Sequence, residues 1–239
     1  MQKHGPVAIS GRPGAQGTVY GVILNHRRSL AGLGDTLLQA PYKSLPQAPV
    51  LYIKPANTLV ASGATVLLPS PARQVEVGAT LGIVIGAAAA RIGLEQAATV
   101  IAGYVAAADL SLPHASYYRP AIREKCFDGA CPISQQMMPA SLANDPDSVC
   151  IETHINDTRV DSWPLADLVR NIPELLRDVT EFMTLNAGDI LLIGVPWQAP
   201  QATIGDAVRV AVAGGGEVCF HIQSHGWKKV GGGKHENDE

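Results

Sequence analysis

The stretch of sequence that decides the fold is VGATLGIVIGAAAA, residues 77–90, in which no side chain is charged. Arg91 and Glu95 follow it closely, and a helix that crosses a membrane needs about 20 apolar residues. Short apolar runs that are bounded by turn residues and rich in valine and isoleucine are typical of buried strands. We therefore predict a buried strand here and a second one at residues 99–111, TVIAGYVAAADLS.

Segments of the same kind lie on both sides of this pair and predict a protein that is mostly β-sheet. One segment, IETHINDTRVDS at residues 151–162, alternates apolar and polar residues up to an Asn-Asp pair, which predicts a hairpin. The other strand-like segments are residues 17–24, 49–54, 148–156, 189–196, 206–213 and 217–222.

Helical periodicity is clear in one long segment, Leu165–Leu185, where apolar residues recur every three or four positions. Pro173 lies inside this segment, so we expect a break or a new first turn there. Shorter helices are predicted at Ser29–Gln39 and Leu94–Thr99. The patterns together predict an α+β protein that is mostly β, with few helices.

The composition is that of a folded chain with little net charge. Its 239 residues include 18 Lys and Arg and 21 Asp and Glu, a formal net charge of −3, and 46% of the residues are hydrophobic. Nucleic-acid-binding proteins concentrate Lys and Arg to displace counterions, so the balance disfavours that class. The 24 glycines and 17 prolines, beside 5% aromatic residues, predict many turns and a core of small aliphatic side chains.

Local composition also predicts the organisation and location of the chain. Residues 1–16 lack the continuous apolar segment of a secretory signal, which predicts a cytoplasmic protein with no membrane partner. The four cysteines form no Cys-x-x-Cys pair and are expected to be reduced. We divide the chain into an N-terminal extension at residues 1–16, one domain at residues 17–225, and a flexible tail at residues 226–239.

A few charged side chains occupy positions where sites are built. Lys54 ends a predicted strand just before a proline, where it either meets a substrate carboxylate or is simply solvated. Asp109 ends an apolar strand, where it either caps the next turn or needs partners, because isolated buried charge is costly. Arg119, Arg123 and Lys125 lie in YYRPAIREKCFDG, which fits either an anionic small molecule or an exposed basic loop.

Seven blocks of sequence between about Gly17 and Ile222 resemble, in the same order, the fumarylacetoacetate hydrolase family. These blocks are VYGVILNHRRSL, APYKSLPQAPVLYIKPANT, GATLGIVIG, IAGYVAAADLSLP, SYYRPAIREKCFDGACPI, ADLVRNIPELL and LNAGDILLIGVP. NHRRSL, SYYRPAI and KCFDGACPI together resemble the N-terminal-half subfamily of isomerase/decarboxylases of 4-hydroxyphenylacetate (homoprotocatechuate) degradation. The resemblance implies a mixed β-sandwich roll with a few helices, and the family-like domain is then residues 17–225.

The resemblance also implies a divalent metal, Mg²⁺ or Mn²⁺, which polarises the carbonyl of a 2-oxo acid and stabilises an enolate. The family holds it with a Glu-x-Glu pair and an Asp in the next strand. Asp109 matches that Asp, whereas Gly78 and Thr80 stand at the two Glu positions and Glu76 lies two residues earlier. We therefore expect that this chain does not bind the metal in the usual way.

Carried over position by position, the resemblance implies a set of site residues. The family lysines match Lys54, before Pro, and Lys125, before the Phe-Asp turn. His26 is the nearby imidazole able to move a proton near neutral pH, or it only forms a hydrogen bond at a strand end. The expected catalytic residues are Lys125 and His26, and the expected substrate-binding residues are Lys54, Arg119, Arg123 and Asn25.

The resemblance implies two alternative functions. In the first, the chain is an isomerase/decarboxylase subunit that acts on 2-hydroxyhepta-2,4-diene-1,7-dioate, on 5-oxopent-3-ene-1,2,5-tricarboxylate, or on both, through an enolate. In the second, it is a catalytically silent homologue that assembles with a metal-bearing second subunit of the same family. In either case a homodimer or a heterodimer is expected.

Overall fold

The computed structural model describes residues 17–114, 121–145, 148–214 and 216–224. The predicted extension at residues 1–16 and the predicted tail at residues 226–239 lie outside them. The strands are β1 Val19–Ile23, β2 Val50–Lys54, β3 Leu59–Ala61, β4 Ala64–Leu68, β5 Gln74–Ile85, β6 Ile101–Ser111, β7 Cys131–Ile133, β8 Met138–Pro139, β9 Cys150–Ile155, β10 Thr158–Pro164, β11 Ile190–Leu192, β12 Gln201–Thr203, β13 Ala207–Val212 and β14 Gly216–Ser224. The helices are α1 Arg27–Leu33, α2 Ala97–Val100, α3 Ile122–Lys125 and α4 Ile172–Thr180.

The two apolar segments that decide the fold form the long antiparallel pair β5 and β6. β5 begins at Gln74, before the uncharged stretch, and both strands are buried over nearly their whole length. This confirms two buried strands, although β5 ends at Ile85 and not at residue 90. Glycine and alanine side chains are small, which lets other layers pack closely on both faces of the pair.

The larger sheet has nine strands among the described residues, with the main order β2-β1-β11-β5-β6-β7-β3, while β12 pairs with β5 and β8 with β6. It mixes parallel pairs, such as β1 with β11, and antiparallel pairs, such as β5 with β6. A flat sheet would place β2 and β6 four strand spacings apart, about 19 Å. The Lys54 side chain of β2 nevertheless lies 2.7 Å from Asp109 of β6, so the sheet curls and brings β2 close to β6.

The smaller sheet has five described strands in the order β10-β9-β13-β14-β4. β9 and β10 form the predicted hairpin. Its turn residues Asn156 and Asp157 have positive φ angles of 49° and 65°, which asparagine and aspartate adopt more readily than most residues. The main core lies between the two sheets and is built mostly from Val, Leu, Ile and Ala. The fold is the expected mixed α+β, mostly β architecture.

The long helical pattern corresponds to a shorter helix than predicted. Residues 165–167 form a single 3-10 turn, and α4 begins at Ile172 and ends at Thr180 instead of Leu185. Asn171 and Glu174 form a reciprocal capping box, and Pro173 lies in the first turn, where its missing N–H leaves no partner unsatisfied. The expected new first turn at Pro173 is confirmed, because Asn171 caps a new helix there, and only a 3-10 turn forms before it.

The two shorter helices form close to their predicted positions. α1 is followed by a 3-10 turn at Gly34–Leu38, and α2 follows a 3-10 turn at Leu94–Gln96. None of the described helices is long and apolar enough to cross a membrane. All four cysteines lie within the described residues and are free thiols, as expected.

Candidate functional site

A cleft opens where β5 and β6 run beside the loop that follows β11. The polar side chains that line it are Ser29, Glu76, Asp109, Ser111, His114, Lys125 and Gln198. Gly78 lies directly opposite Asp109 in the β5–β6 ladder, and Glu76 lies opposite Ser111. Side chains two residues apart on a strand point to the same face, so this register brings the polar groups to one wall of the cleft.

Asp109 is the centre of the site. Its carboxylate is fully buried, with Lys54 Nζ 2.7 Å from Oδ1 and Lys125 Nζ 2.8 Å from Oδ2, and the Tyr52 hydroxyl donates to Oδ2. Burial alone would raise the pKa of Asp109, but the two ammonium groups outweigh it and hold the pKa well below its usual range. Asp109 therefore remains a carboxylate.

Lys54 lies behind Asp109, and its protons are directed to the protein. Its Nζ donates to three backbone carbonyls, of Leu110 at 3.1 Å, Lys125 at 2.7 Å and Ala130 at 3.1 Å. An ammonium group has three protons, so its 2.7 Å contact with Asp109 Oδ1 is an ion pair and not a directed hydrogen bond. Lys54 was expected to bind substrate, whereas its place in the structure is a buried cross-link between strands.

Lys125 is the cation that faces the cleft. It ends the short helix α3, where its own backbone N–H bonds to the carbonyl of Ala121. Its Nζ donates to Asp109 and lies 5.0 Å from the centre of the Tyr52 ring, and 10% of its side chain is exposed. An ammonium with one proton on Asp109 and two others available can bind a carboxylate or an enolate oxygen.

Tyr52 completes this cluster, and the residue-by-residue reading of the sequence missed it. Burial and, to a smaller extent, the nearby negative charge of Asp109 raise the pKa of Tyr52 well above its usual range. The phenol therefore stays protonated and donates a hydrogen bond to Asp109. Gly21 lies opposite Tyr52 in the β1–β2 pair, and any Cβ there would lie 2.1 Å from the Tyr52 ring. The available signal was the spacing of Tyr52 and Lys54, which places both on one face of β2.

Asn25 and His26 lie outside the cleft. Asn25 Nδ2 donates to the carbonyls of Arg170 at 3.1 Å and Ile193 at 2.9 Å, and its Oδ1 accepts from the Arg170 N–H at 2.9 Å. These bonds hold the end of β1 to two distant loops. His26 is the N-cap of α1, where its Nδ1 accepts a 3.0 Å hydrogen bond from the Arg28 N–H. The structure therefore brings neither residue to Lys125.

The His26 ring is buried against Trp163. Their ring centroids are 4.8 Å apart at an interplanar angle of 80°, and neither His26 Nε2 nor Trp163 Nε1 has a hydrogen-bond partner among the described residues. Burial, with a smaller effect of Arg28, lowers the pKa of His26 to about 4, although Asp167 and Asp161 act in the opposite direction. The neutral ring is the form that fits this environment.

Stability should therefore fall with acid between pH 6.5 and pH 4. In this window the unfolded chain protonates His26, whose ordinary pKa is 6.5, while the folded chain does not. Linkage converts this difference into about 3 kcal/mol of unfolding free energy, present above pH 6.5 and lost progressively as the pH falls. Urea unfolding followed at a series of pH values measures it.

The variant His26→Asn provides the control for this pH dependence. Asparagine can cap α1 but does not titrate, so the variant should show a smaller slope between pH 6.5 and pH 4, whatever its stability at pH 7. An unchanged slope in His26→Asn would assign the acid sensitivity to other groups.

The two arginines of the predicted basic loop are placed differently. Arg123 lines a second groove, which also includes Pro69, Pro71, Leu112 and Phe127. Arg119 lies outside the described residues. The structure thus brings Lys54, Asp109 and Lys125 together, but not Arg123.

Comparison with known proteins identifies the relationship. The sequence profile of the fumarylacetoacetate (FAA) hydrolase C-terminal family matches residues 18–223. The chain belongs to the fumarylacetoacetate hydrolase family. This agrees with the curled sheet and with the resemblance of the seven sequence blocks.

Among relatives in the fumarylacetoacetate hydrolase family, the 4-hydroxyphenylacetate degradation bifunctional isomerase/decarboxylase of Escherichia coli is 41% identical over 199 residues. The match covers 83% of this chain and 45% of the relative, so this chain spans about half of that relative's length. A crystal structure of 5-carboxymethyl-2-hydroxymuconate delta-isomerase from Mycobacterium smegmatis is 25% identical with a TM-score of 0.73, covering 87% of this chain and 79% of that one.

A third family member shows the same fold with a metal bound. The crystal structure of fumarylpyruvate hydrolase from Pseudomonas aeruginosa in complex with Mn²⁺ and pyruvate has a TM-score of 0.74 and 23% identity, covering 94% of this chain and 98% of that one. At this identity the likeness concerns the fold alone. Whether the present chain suits such a metal depends on its own side chains.

The side chains of the present chain do not fit the metal site that the resemblance implies. A Cβ at Gly78 would lie 2.7 Å from the Asp109 backbone oxygen and 2.8 Å from Val195 Cγ1, so a Glu side chain has no room there. Thr80 Oγ1 is buried and donates to the Gly194 carbonyl at 2.7 Å. The described residues hold no group of three or more His, Cys, Asp or Glu side chains that could hold a metal. Asp109, already neutralised by two lysines, is a poor ligand by itself.

Proposed function

We propose that this chain is the isomerase unit of 4-hydroxyphenylacetate catabolism, converting 2-hydroxyhepta-2,4-diene-1,7-dioate into 2-oxohept-3-ene-1,7-dioate. The observation that carries the proposal is the Lys125 ammonium, which is held on the buried Asp109 carboxylate and faces the cleft. The names of the Escherichia coli relative and of the Mycobacterium smegmatis structure, both isomerases, support the reaction type.

Isomerisation needs an electrostatic site more than a bond-breaking one. The enol loses its O–H proton, negative charge develops on that oxygen, and carbon 5 receives a proton. Lys125 can stabilise the charge on the oxygen by donating hydrogen bonds from a water-poor site, where such donors are most effective. Asp109 and Tyr52 hold the Lys125 ammonium in place from behind.

The same enolate chemistry extends to a second substrate. Decarboxylation of 5-oxopent-3-ene-1,2,5-tricarboxylate also leaves an electron pair that a conjugated carbonyl must accept, and Lys125 can bind that oxygen in the same way. The relative in Escherichia coli is named for both activities, in a chain of about twice this length. We therefore propose isomerisation for this chain and place decarboxylation with it or with a second subunit.

The length relationship also suggests the assembly. Relatives carry about twice the matched length in one chain, so we propose that this chain pairs with a second subunit of the same family or with its own copy. Sedimentation of the purified chain distinguishes these two assemblies from a monomer.

Turnover by the purified chain tests the main proposal. We expect the chain alone to convert the dienol diacid, because the Lys125 cluster is formed within one chain. Loss of the conjugated dienol absorbance and NMR of the product measure the reaction. A purified, folded chain that leaves the dienol unchanged would exclude the isomerase function for the isolated subunit.

A second candidate function, a silent partner subunit, is favoured by one observation. Gly78 and Thr80 replace both family carboxylates, and neither position has room or a free oxygen for a metal. If the chain is silent, activity appears only after a metal-bearing subunit is added and persists when Lys125 is replaced in this chain. The isomerase proposal instead expects activity from this chain without the second subunit, and loss of that activity when Lys125 is replaced.

A further inference from the structure

Two carboxylates share the cleft, and their surroundings differ sharply. Asp109 is bound by Lys54, Lys125 and Tyr52. Glu76 is half-buried, and among the described residues its carboxylate makes no hydrogen bond and no ion pair. A carboxylate that is partly removed from water and left without partners is free to accept a proton from a ligand.

The position of Glu76 follows from the strand register. Gly78 faces Asp109 across the ladder and Glu76 faces Ser111, so Glu76 and Asp109 are diagonal neighbours on one face. Diagonal neighbours of this kind have Cα atoms about 7–8 Å apart. Gly78, which is opposite Asp109 and two residues from Glu76 on this face, has no side chain, and both carboxylates line the same cleft as Lys125.

We propose that Glu76 is the proton-transferring residue of this site and carries the proton from the enol oxygen to carbon 5 of the dienol. The inference rests on the proposed isomerase function and adds a catalytic residue to it. The Glu76 carboxylate removes the proton from the 2-hydroxyl, and the C2–O bond becomes a carbonyl. The C2=C3 pair moves to C3=C4, and the C4=C5 pair takes the proton from the Glu76 carboxylic acid. The proton that leaves is the proton that returns, so no other reactant is needed.

The electrostatics of the two carboxylates agree with this division of roles. Burial raises the pKa of Glu76, and Asp109 raises it further, while His114 and Lys125 act in the opposite direction. A raised pKa makes the Glu76 carboxylate a stronger base. The pKa of Asp109 is lowered by its two lysines. Pairs of carboxyl groups whose pKa values are pushed apart typically divide into a proton carrier and a fixed charge.

The variant Glu76→Gln tests the proposal, since it keeps the shape of the side chain but cannot accept the proton. We expect kcat for the dienol diacid to fall about 10²- to 10⁴-fold, with KM within about threefold and an unchanged thermal midpoint. The acidic limb of the pH–kcat/KM profile should disappear from the residual activity of this variant. Glu76→Asp, which restores a carboxylate, should recover part of kcat.

The control is Glu124→Gln. Glu124 is next to Lys125 in the sequence, but it lines the second groove and not the cleft. The control variant should retain wild-type kcat and pH profile. If the wild-type chain is active and Glu76→Gln keeps its rate and its acidic limb, the role of Glu76 is overturned while the isomerase function stands. If the wild-type chain does not convert the dienol, the proposed function and this inference fall together.

Discussion

Replacement of Lys125 by methionine is expected to lower kcat/KM for the dienol diacid by about 10²- to 10³-fold, the usual cost of removing one donor to a developing oxyanion. Methionine keeps the length and most of the apolar contacts of the lysine stem. Asp109 still has Lys54 at 2.7 Å, so its charge remains paired and the fold should persist. Steady-state kinetics with thermal unfolding of the same samples measure both effects.

The matched control for this substitution is Lys43→Met. Lys43 is exposed and lies in a turn between α1 and β2, outside the cleft. This variant should retain wild-type kcat/KM. Should Lys125→Met retain activity within threefold of wild type while Lys43→Met does the same, the ammonium at position 125 is not the oxyanion donor.

The second large effect is expected on stability, at Lys54. Lys54→Met removes one ion-pair partner of a fully buried carboxylate and the donor to three backbone carbonyls. Lys125 still pairs with Asp109 in this variant, but three buried carbonyls lose their donor as well, so we expect a cost of about 3–5 kcal/mol, the range typical of breaking a buried pair. Urea unfolding at neutral pH should therefore show a free energy of unfolding lower by about this amount than that of Lys43→Met, which should match wild type within about 0.5 kcal/mol.

A double variant separates the ion pair from the packing. The double variant Lys54→Met/Asp109→Leu removes both charges of this ion pair. The two substitutions together should therefore lower the free energy of unfolding by less than the sum of the single effects. Lys125 then lacks Asp109 but has access to the cleft. A loss below about 1 kcal/mol in the single variant Lys54→Met would mean that Lys54 is not the cross-link that the contacts describe.

The strands and the main helix were predictable because their signals are local. The uncharged run around β5, the alternation and Asn-Asp turn of the β9–β10 hairpin, and Pro173 at the start of α4 each lie within a few consecutive residues. The helical segment was longer than α4, since apolar spacing continues on both sides of the capping box at Asn171 and Glu174. Periodicity records which face is apolar, and the cap decides where the helix begins.

The candidate site was predictable only in part. Lys54, Asp109 and Lys125 were named from their positions beside strands and from the family blocks, and they do meet. Tyr52 and the free carboxylate of Glu76 were not assigned a role in proton transfer or positioning. His26 and Asn25 were expected in the site from the family resemblance, but their hydrogen bonds are directed into the protein.

The amino-acid sequence by itself determined the strand-rich architecture and the family, because each of these depends on residue type along the chain. The tertiary structure decided which lysine faces the cleft. The curl of the sheet brings Lys54 of β2 to Asp109 of β6, where the Lys54 ammonium donates its hydrogen bonds to backbone carbonyls. The tertiary structure also decided that Glu76 forms no hydrogen bond or ion pair with the described residues, while Asp109 has three such partners. Burial and electrostatic pairing depend on neighbours in space, and those neighbours come from segments far apart in the chain.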